Sequence, residues 1–231
     1  MKMEGHDIYT LRFDGKLGYD EITKFRGAAI RALEGVGGCL THNHDDEGVI
    51  YTYPAVQYKI IDSSPAIVCV DREASDVVRK FRGEPRWRLD IGRSSRVFSP
   101  ESLNIQSYIP STDLLYSHFY TIDRYIPLTG HNAQKFEEFT ALTDKICFIE
   151  NILTGNILSF YKGLDFFAED EIHVAITEIY EKRTVRYKNV NFLTFRLSFV
   201  TNAFLPDNIG LGKSASVGFG VIRLDKSVKH E

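Results

Sequence analysis

The chain has 231 residues, 43% of them hydrophobic and 26% charged, an ordinary balance for a folded globular protein and a length that suits one large domain or two small ones. A formal net charge of -3 argues against a globally basic, indiscriminate nucleic-acid binder. No apolar run approaches the roughly 18 residues of a membrane helix, and the N-terminal Met-Lys-Met-Glu-Gly-His-Asp has no apolar signal region, so a cytoplasmic protein is expected.

The N-terminal half has a βαββαβ cadence. Ile8–Phe13 alternates like a strand. From Tyr19 to Leu33 the apolar residues Ile22, Phe25, Ala29, Ile30 and Leu33 recur at spacings of three and four, which predicts a helix stopped by Gly35, Gly37 and Gly38. A strand pair is expected over Val49–Ile61 and Ala66–Val70, turning at Asp62-Ser-Ser-Pro65. Ala74–Phe81 reads as a second helix ended by Gly83, and Arg88–Phe98 as a fourth strand. This order is that of a ferredoxin-like domain, the topology of the RNA-recognition motif.

Residues 99–113, with Pro100 and Pro110 among polar residues, read as a linker. The pattern then restarts. His118–Ile126 is a strand, and Asn132 is a candidate cap for a helix over 133–142 that buries Phe136, Phe139 and Ala141. Asp144 is a candidate cap for a longer helix reaching Tyr161, and strands follow at 172–180, 183–188, 191–200 and 217–224. The expected fold is α+β, two tandem ferredoxin-like domains over 1–103 and 104–231, with no repeat visible residue by residue.

Charge is distributed unevenly along the chain. Arg79, Lys80, Arg82, Arg86, Arg88, Arg93 and Arg96 face only Glu84 and Asp90 in the same stretch, while acids gather at Asp165–Glu171 and Asp45–Glu47. Such a map suits a protein that holds RNA on one face, or simply a solvated surface. Cys39, Cys69 and Cys147 are scattered and odd in number, so neither a disulfide framework nor a Cys-x-x-Cys site follows.

Between the first helix and the second strand lies Thr41-His-Asn-His44. In an extended segment His42 and His44 face one way. Free imidazoles titrate near 6.5, so one can serve as base while the other, charged, serves as acid. Three other readings stand beside this one. Cys39, His42, His44 and Asp45 or Asp46 are zinc-ligand types, but a second downstream ligand pair is missing. The letters His-Asn-His also occur in metal-dependent nucleases, without the matching continuation here. A surface pair with no role is the third.

Near the C-terminus stands Gly210-Leu-Gly-Lys-Ser-Ala-Ser-Val-Gly-Phe-Gly220, followed by the apolar Val221-Ile-Arg-Leu224. Glycines uncover backbone N–H groups and permit the positive φ that lets them converge on an anion. Lys213, Ser214 and Ser216 add donors, so the expected ligand is a phosphate. A Walker loop is excluded by Asp207 at its first glycine position and by the strand, not helix, that follows. A ligand-free turn between two strands is the alternative.

This Gly-x-Gly-x5-Gly-Phe-Gly loop before a last strand resembles the C-terminal glycine-rich loop of the CRISPR repeat-RNA processing endoribonucleases of the Cas-six family. Phe199–Gly210 and Tyr53-Pro-Ala-Val-Gln-Tyr-Lys59 are similar to its "b" subgroup. The resemblance implies tandem ferredoxin-like domains and a loop, Gly210, Gly212, Lys213, Ser214, Ser216, Gly218 and Gly220, that touches the RNA backbone. It also implies a catalytic set formed by His42, His44 and Tyr51. Tyr53 competes with Tyr51, because strand alternation puts both on one face. A basic residue in or after the first helix is implied as well, with Arg31 the nearest candidate, ahead of Lys24 and Arg26.

The expected function is therefore a metal-independent endoribonuclease that cleaves CRISPR precursor RNA by 2′-hydroxyl attack, with no cofactor. Its partners would be repeat RNA, CRISPR effector subunits and, as dimers occur in the family, a second copy. The alternative is a noncatalytic RNA-binding subunit on the same fold. A nucleotide phosphatase or kinase would need a Walker loop or clustered metal-binding carboxylates.

Overall fold

The computed structural model describes residues 5–33, 53–70 and 74–226, together with the backbone of 44–45 and 48–49. The chain divides into two compact units. The first is Met1–Ile109 with Ser216–Gly218, and the second is Pro110–Ala215 with Phe219–Glu231.

The first unit runs β1 (His6–Phe13), α1 (Ile22–Ala32), β2 (His44–Asp45), β3 (Gly48–Val49), β4 (Val56–Ile61), β5 (Ser64–Val70), α2 (Ser75–Arg82), β6 (Trp87–Ile91), β7 (Ser94–Phe98) and β8 (Pro100–Tyr108). Its main sheet has the antiparallel order β4-β5-β1-β8. Asp62 and Ser63, at φ 50° and 67°, make the left-handed two-residue turn that joins β4 to β5. Alternation puts Phe13 on the helix side, edge-on to Phe25 of α1 and Phe81 of α2 at 6.0 and 5.4 Å between ring centres. Phe25 in turn meets Tyr58 of β4 and Phe98 of β7. This aromatic cluster holds both helices on one sheet face, and each such pair adds about 0.5–1.5 kcal/mol beyond the area it buries.

Two expectations are corrected here. Residues 88–98 do not supply the fourth strand. Gly92, at φ 68°, turns the chain after Ile91, so β6 and β7 pair with each other in a separate hairpin packed on α1. Trp87, Leu89 and Ile91 face inward and Arg88 and Asp90 outward. The fourth strand is β8, within the segment read as a linker, and it pairs with β1 from His6↔Tyr108 to Phe13↔Pro100. As an edge strand exposed at most positions, β8 carries no apolar alternation for its sequence to show.

The second unit runs β9 (Ser111–Thr112), β10 (His118–Tyr125), α3 (His131–Glu138), α4 (Leu142–Lys162), β11 (Val174–Tyr187), β12 (Val190–Thr201), β13 (Ala203–Phe204) and β14 (Val221–Leu224). The sheet order β11-β12-β10-β14 repeats the ferredoxin-like pattern. The strands expected at 172–180 and 183–188 are one strand, β11, whose ladder with β12 absorbs irregularities after Ile176 and Ile179. Neither expected helix cap forms. Gly130, at φ 52°, precedes α3, and Asp144 sits inside the first turn of α4 behind Ala141. Of the three residues expected to be buried by α3, Phe136 alone is.

Between β12 and β14 the usual second helix is replaced by residues 202–220. Their Leu205, Ile209, Leu211 and Ala215 are buried. Tyr161 of α4 donates its hydroxyl to Ser111 O and Phe204 O at 2.8 and 3.0 Å. No helix among the described residues is long and apolar enough to cross a membrane.

Candidate nucleic-acid interface

The glycine-rich loop is shaped by packing as much as by exposure. Gly212, Gly218 and Gly220 have φ of 80°, 75° and 60°, which glycine adopts freely. A Cβ on Gly220 would overlap the Leu211 carbonyl oxygen, and one on Gly212 would come within 2.7 Å of the Tyr125 ring. Gly220 N donates to Arg124 O, and Leu211 N to Gly220 O at 2.8 Å, so the loop's two stems are sewn together. Gly210, Gly218 and Gly220 are buried.

Of the loop's remaining residues named above, Gly212, Lys213 and Ser214 belong to the second unit and Ser216 to the first. Lys213 is exposed and the other three half-buried. Ser214 holds a left-handed φ of 61° without being glycine. The Lys213 ammonium lies 5.5 Å from the Phe192 ring centre of β12, and Phe219 is held between Tyr187 at 5.1 Å and the Arg124 guanidinium at 4.6 Å. The loop and the distal end of the β11–β12 hairpin are thus one assembly. That hairpin, turning at Lys188 and Asn189 (φ 49° and 62°), carries exposed Lys182, Arg183, Arg186 and Lys188. Arg196 lies 5.7 Å from the half-exposed Tyr180 ring. Cations interleaved with aromatic faces suit a nucleic-acid backbone with unstacked bases. Tyr187 and Lys188 stand side by side in the sequence. The ring that Tyr187 packs on, Phe219, is thirty-two positions away, so sequence alone does not show the pairing.

Ser216–Gly218 belongs to the first unit. Tyr58 N donates to Ser216 O at 2.9 Å, and Val217 forms a parallel bridge with Tyr58, extending the sheet past its β4 edge. Gly218 holds φ 75°, which favours glycine, and a Cβ there would stand 3.3 Å from Ile22 Cγ1 of α1. Burial pushes the Tyr58 hydroxyl well above its usual value, and Arg26 pulls the other way. Arg26 therefore lies on the flank of α1 that adjoins β4, whereas Arg31, the nearer candidate by sequence, is exposed in the last turn.

His42 and Tyr51 lie outside the described residues. His44 is in β2, where its backbone pairs with Val49 of β3. Tyr53 precedes β4, outside any regular strand, and its hydroxyl accepts from Gln57 Nε2 at 2.8 Å. Among the described residues no group of three or more His, Cys, Asp or Glu is arranged to hold a metal ion.

Residues 6–108 match the family model of the Cas6b N-terminal domain, and residues 113–224 match that of the Cas6b C-terminal domain. The chain belongs to the Cas6b family. A crystal structure of Cas6b superimposes with a TM-score of 0.79 at 25% identity, covering 95% of this chain and all of that one. A crystal structure of the CRISPR RNA processing endoribonuclease Cas6b gives 0.74 at 22% identity, covering 96% of this chain and all of that one. An uncharacterised protein of Methanocaldococcus jannaschii is 36% identical over 103 residues, 43% of this chain and 69% of the relative. The two Cas6b family models meet the two compact units in turn, and the tandem ferredoxin-like architecture is that of the Cas6b structures.

Proposed function

We propose that this chain is an endoribonuclease that processes CRISPR RNA by cleaving precursor transcripts within their repeats. The observation that carries the reading is the match of both units, over 6–108 and 113–224, to the two Cas6b domains. In this reading the repeat's backbone rests on Gly212–Ser214, with the β11–β12 hairpin beside it.

The chemistry needs no external nucleophile. The ribose 2′-oxygen loses its proton and attacks the adjacent phosphorus. The P–O5′ bond breaks, and the departing 5′-oxygen takes a proton. The products are a 2′,3′-cyclic phosphate and a 5′-hydroxyl. His42 and His44 are assigned the two proton transfers, worth about 10²–10⁴-fold each. Tyr51 is a donor near the reacting phosphate, and a cation on α1 (Arg31, or Arg26 on the flank toward β4) offsets the phosphorane charge. Metal independence follows if these groups suffice. Retention of the product with CRISPR effector subunits, and pairing of two copies, belong to the same reading.

The purified protein incubated with its cognate repeat RNA in EDTA tests the reading. Cleavage to a cyclic phosphate is expected, and its loss in the His42→Ala/His44→Ala double variant with RNA binding retained. Undiminished cleavage by that variant refutes the assignment of the histidines. Binding without cleavage by the unaltered protein favours a noncatalytic RNA-binding subunit.

A further inference from the structure

The arginine-rich stretch 79–96 takes no part in the interface above, and the fold explains little of it. Arg96 is spent on Glu21, to which it makes a paired salt bridge that holds the Glu21 carboxyl below its usual range. Arg79 bonds Asp76 one turn back at 2.6 Å. Lys80, Arg82, Arg86, Arg88 and Arg93 remain, all exposed. Cations in a last helical turn ordinarily serve the helix's terminal carbonyls and dipole. Here those carbonyls are already served. Gly83 N donates to Arg79 O and Lys80 O, and the Trp87 indole donates to Phe81 O at 2.8 Å. Arg86, Arg88 and Arg93 lie beyond the helix in any case.

The same contacts fix the backbone that carries Arg82, Arg86 and Arg88. Trp87 is buried with its ring 4.7 Å from Phe81, which clamps the turn 83–86 against the end of α2. β6 presents Arg88 outward because Trp87, Leu89 and Ile91 point inward. Beside the array is an open groove of about 440 Å³. Arg79 and Arg82 form its rim, and Tyr9 and Leu103, both half-buried, offer apolar surface to a base. Six of the seven cations between 79 and 96 are arginine. Its planar fork bonds phosphate in pairs and stacks on bases, which lysine does not do. The neighbouring acids, Glu84 and Asp90, are outnumbered.

We propose that the C-terminal end of α2 and the turn into β6 form a second RNA-contacting surface, taking the phosphates of single-stranded RNA outside the segment held by the glycine-rich loop. The proposal rests on the RNA-processing reading above. Charged donors dominate the array, so its contribution is independent of sequence and strongly salt-dependent.

Fluorescence anisotropy separates the possibilities. The probes are labelled cognate repeat RNA alone and the same RNA with an oligouridylate tail on its 5′ or 3′ end. The tail is expected to tighten binding to the unaltered protein by about tenfold at low salt. In Arg82→Ala/Arg86→Ala/Arg88→Ala that gain disappears, and the slope of log K against log salt for the tailed RNA falls by about 2, for three single-strand phosphates. Binding of the bare repeat stays unchanged. Arg86→Glu/Arg88→Glu, both on the surface, gives the same loss should the triple variant be unstable. The inference is overturned if neither tail helps the unaltered protein, or if the gain survives in a folded variant. In those cases repeat binding persists and the processing reading stands. A protein that binds neither the bare nor the tailed repeat overturns both.

Discussion

Replacing Gly220 by alanine separates the architectural from the RNA-facing part of the glycine-rich loop. The residue sits at φ 60°, and a side chain there costs about 1–2 kcal/mol on backbone grounds. The added methyl would overlap Leu211 O and stand 2.9 and 3.1 Å from Leu211 C and N. All three are backbone atoms and cannot swing aside. Relief requires the two stems to part, which endangers the bonds Leu211 N to Gly220 O (2.8 Å), Ile222 N to Ile209 O (3.0 Å) and Gly220 N to Arg124 O (3.2 Å). At about 1 kcal/mol net for each bond, the total loss is about 4–5 kcal/mol, a large fraction of a typical domain's stability. Urea unfolding followed by far-ultraviolet circular dichroism measures it. A loss under about 1 kcal/mol would refute the close approach.

Three further outcomes are expected. Gly155→Ala lies in α4 with nothing within 4 Å of the new methyl, so it raises stability by about 0.5–1 kcal/mol in the same unfolding assay. Lys213→Ala leaves stability unchanged, weakens repeat RNA binding and lowers the salt slope by about 0.7–0.9; an unchanged affinity and slope would make Gly212–Ser214 structural. Lys59 is fully buried, and burial pulls its ammonium down to about 7. Above that pH the native chain lacks a proton that the unfolded chain keeps, so this group makes stability rise with pH by up to about 1.4 kcal/mol per unit. Burial raises the Cys69 thiol, which opposes the trend from about pH 8.5 upward. Comparing Lys59→Met with the unaltered protein by urea unfolding at pH 7 and 8.5 isolates the lysine, and equal pH slopes in the two would refute its neutralisation.

Much of the fold was legible because its signals are local. The apolar spacing of Ile22, Phe25 and Ala29 gives α1 its buried face, and Gly83 ends α2. The misreadings share one cause: partners distant in sequence decided the outcome. β8 is a strand because β1 pairs with it, although its own polar, proline-flanked sequence resembles a linker. Residues 88–98 alternate like a strand, but the turn at Gly92 folds them on themselves and their apolar side onto α1. At the site, the loop's glycine spacing was visible, while its division into buried stems and an exposed arc depends on Leu211, Tyr125 and Ile22. Which basic residue of α1 adjoins β4 is likewise a matter of helix flank, which the periodicity alone leaves open.

The missing helix of the second unit accounts for the loop's double character. A ferredoxin-like sheet needs two covering elements on one face, and α4 supplies one. Residues 202–215 and 219–220 of this unit pack without helical hydrogen bonds, so their polar backbone groups must find partners one at a time. The Tyr120 hydroxyl takes two of them, accepting from Leu205 N at 2.8 Å and donating to Leu205 O at 3.1 Å. Asn202 donates to Glu171 O and accepts from His173 N, and Asp207 accepts from Leu224 N at 2.7 Å. A segment tied down in this way can hold a few residues at positive φ on its outer side, as Gly212 and Ser214 are held. A regular helix cannot, since its N–H groups are already used. Replacing helix by irregular chain is thus what places positive-φ residues at the surface of this unit, and the packing beneath explains why a side chain at Gly212 or Gly220 would collide with its neighbours.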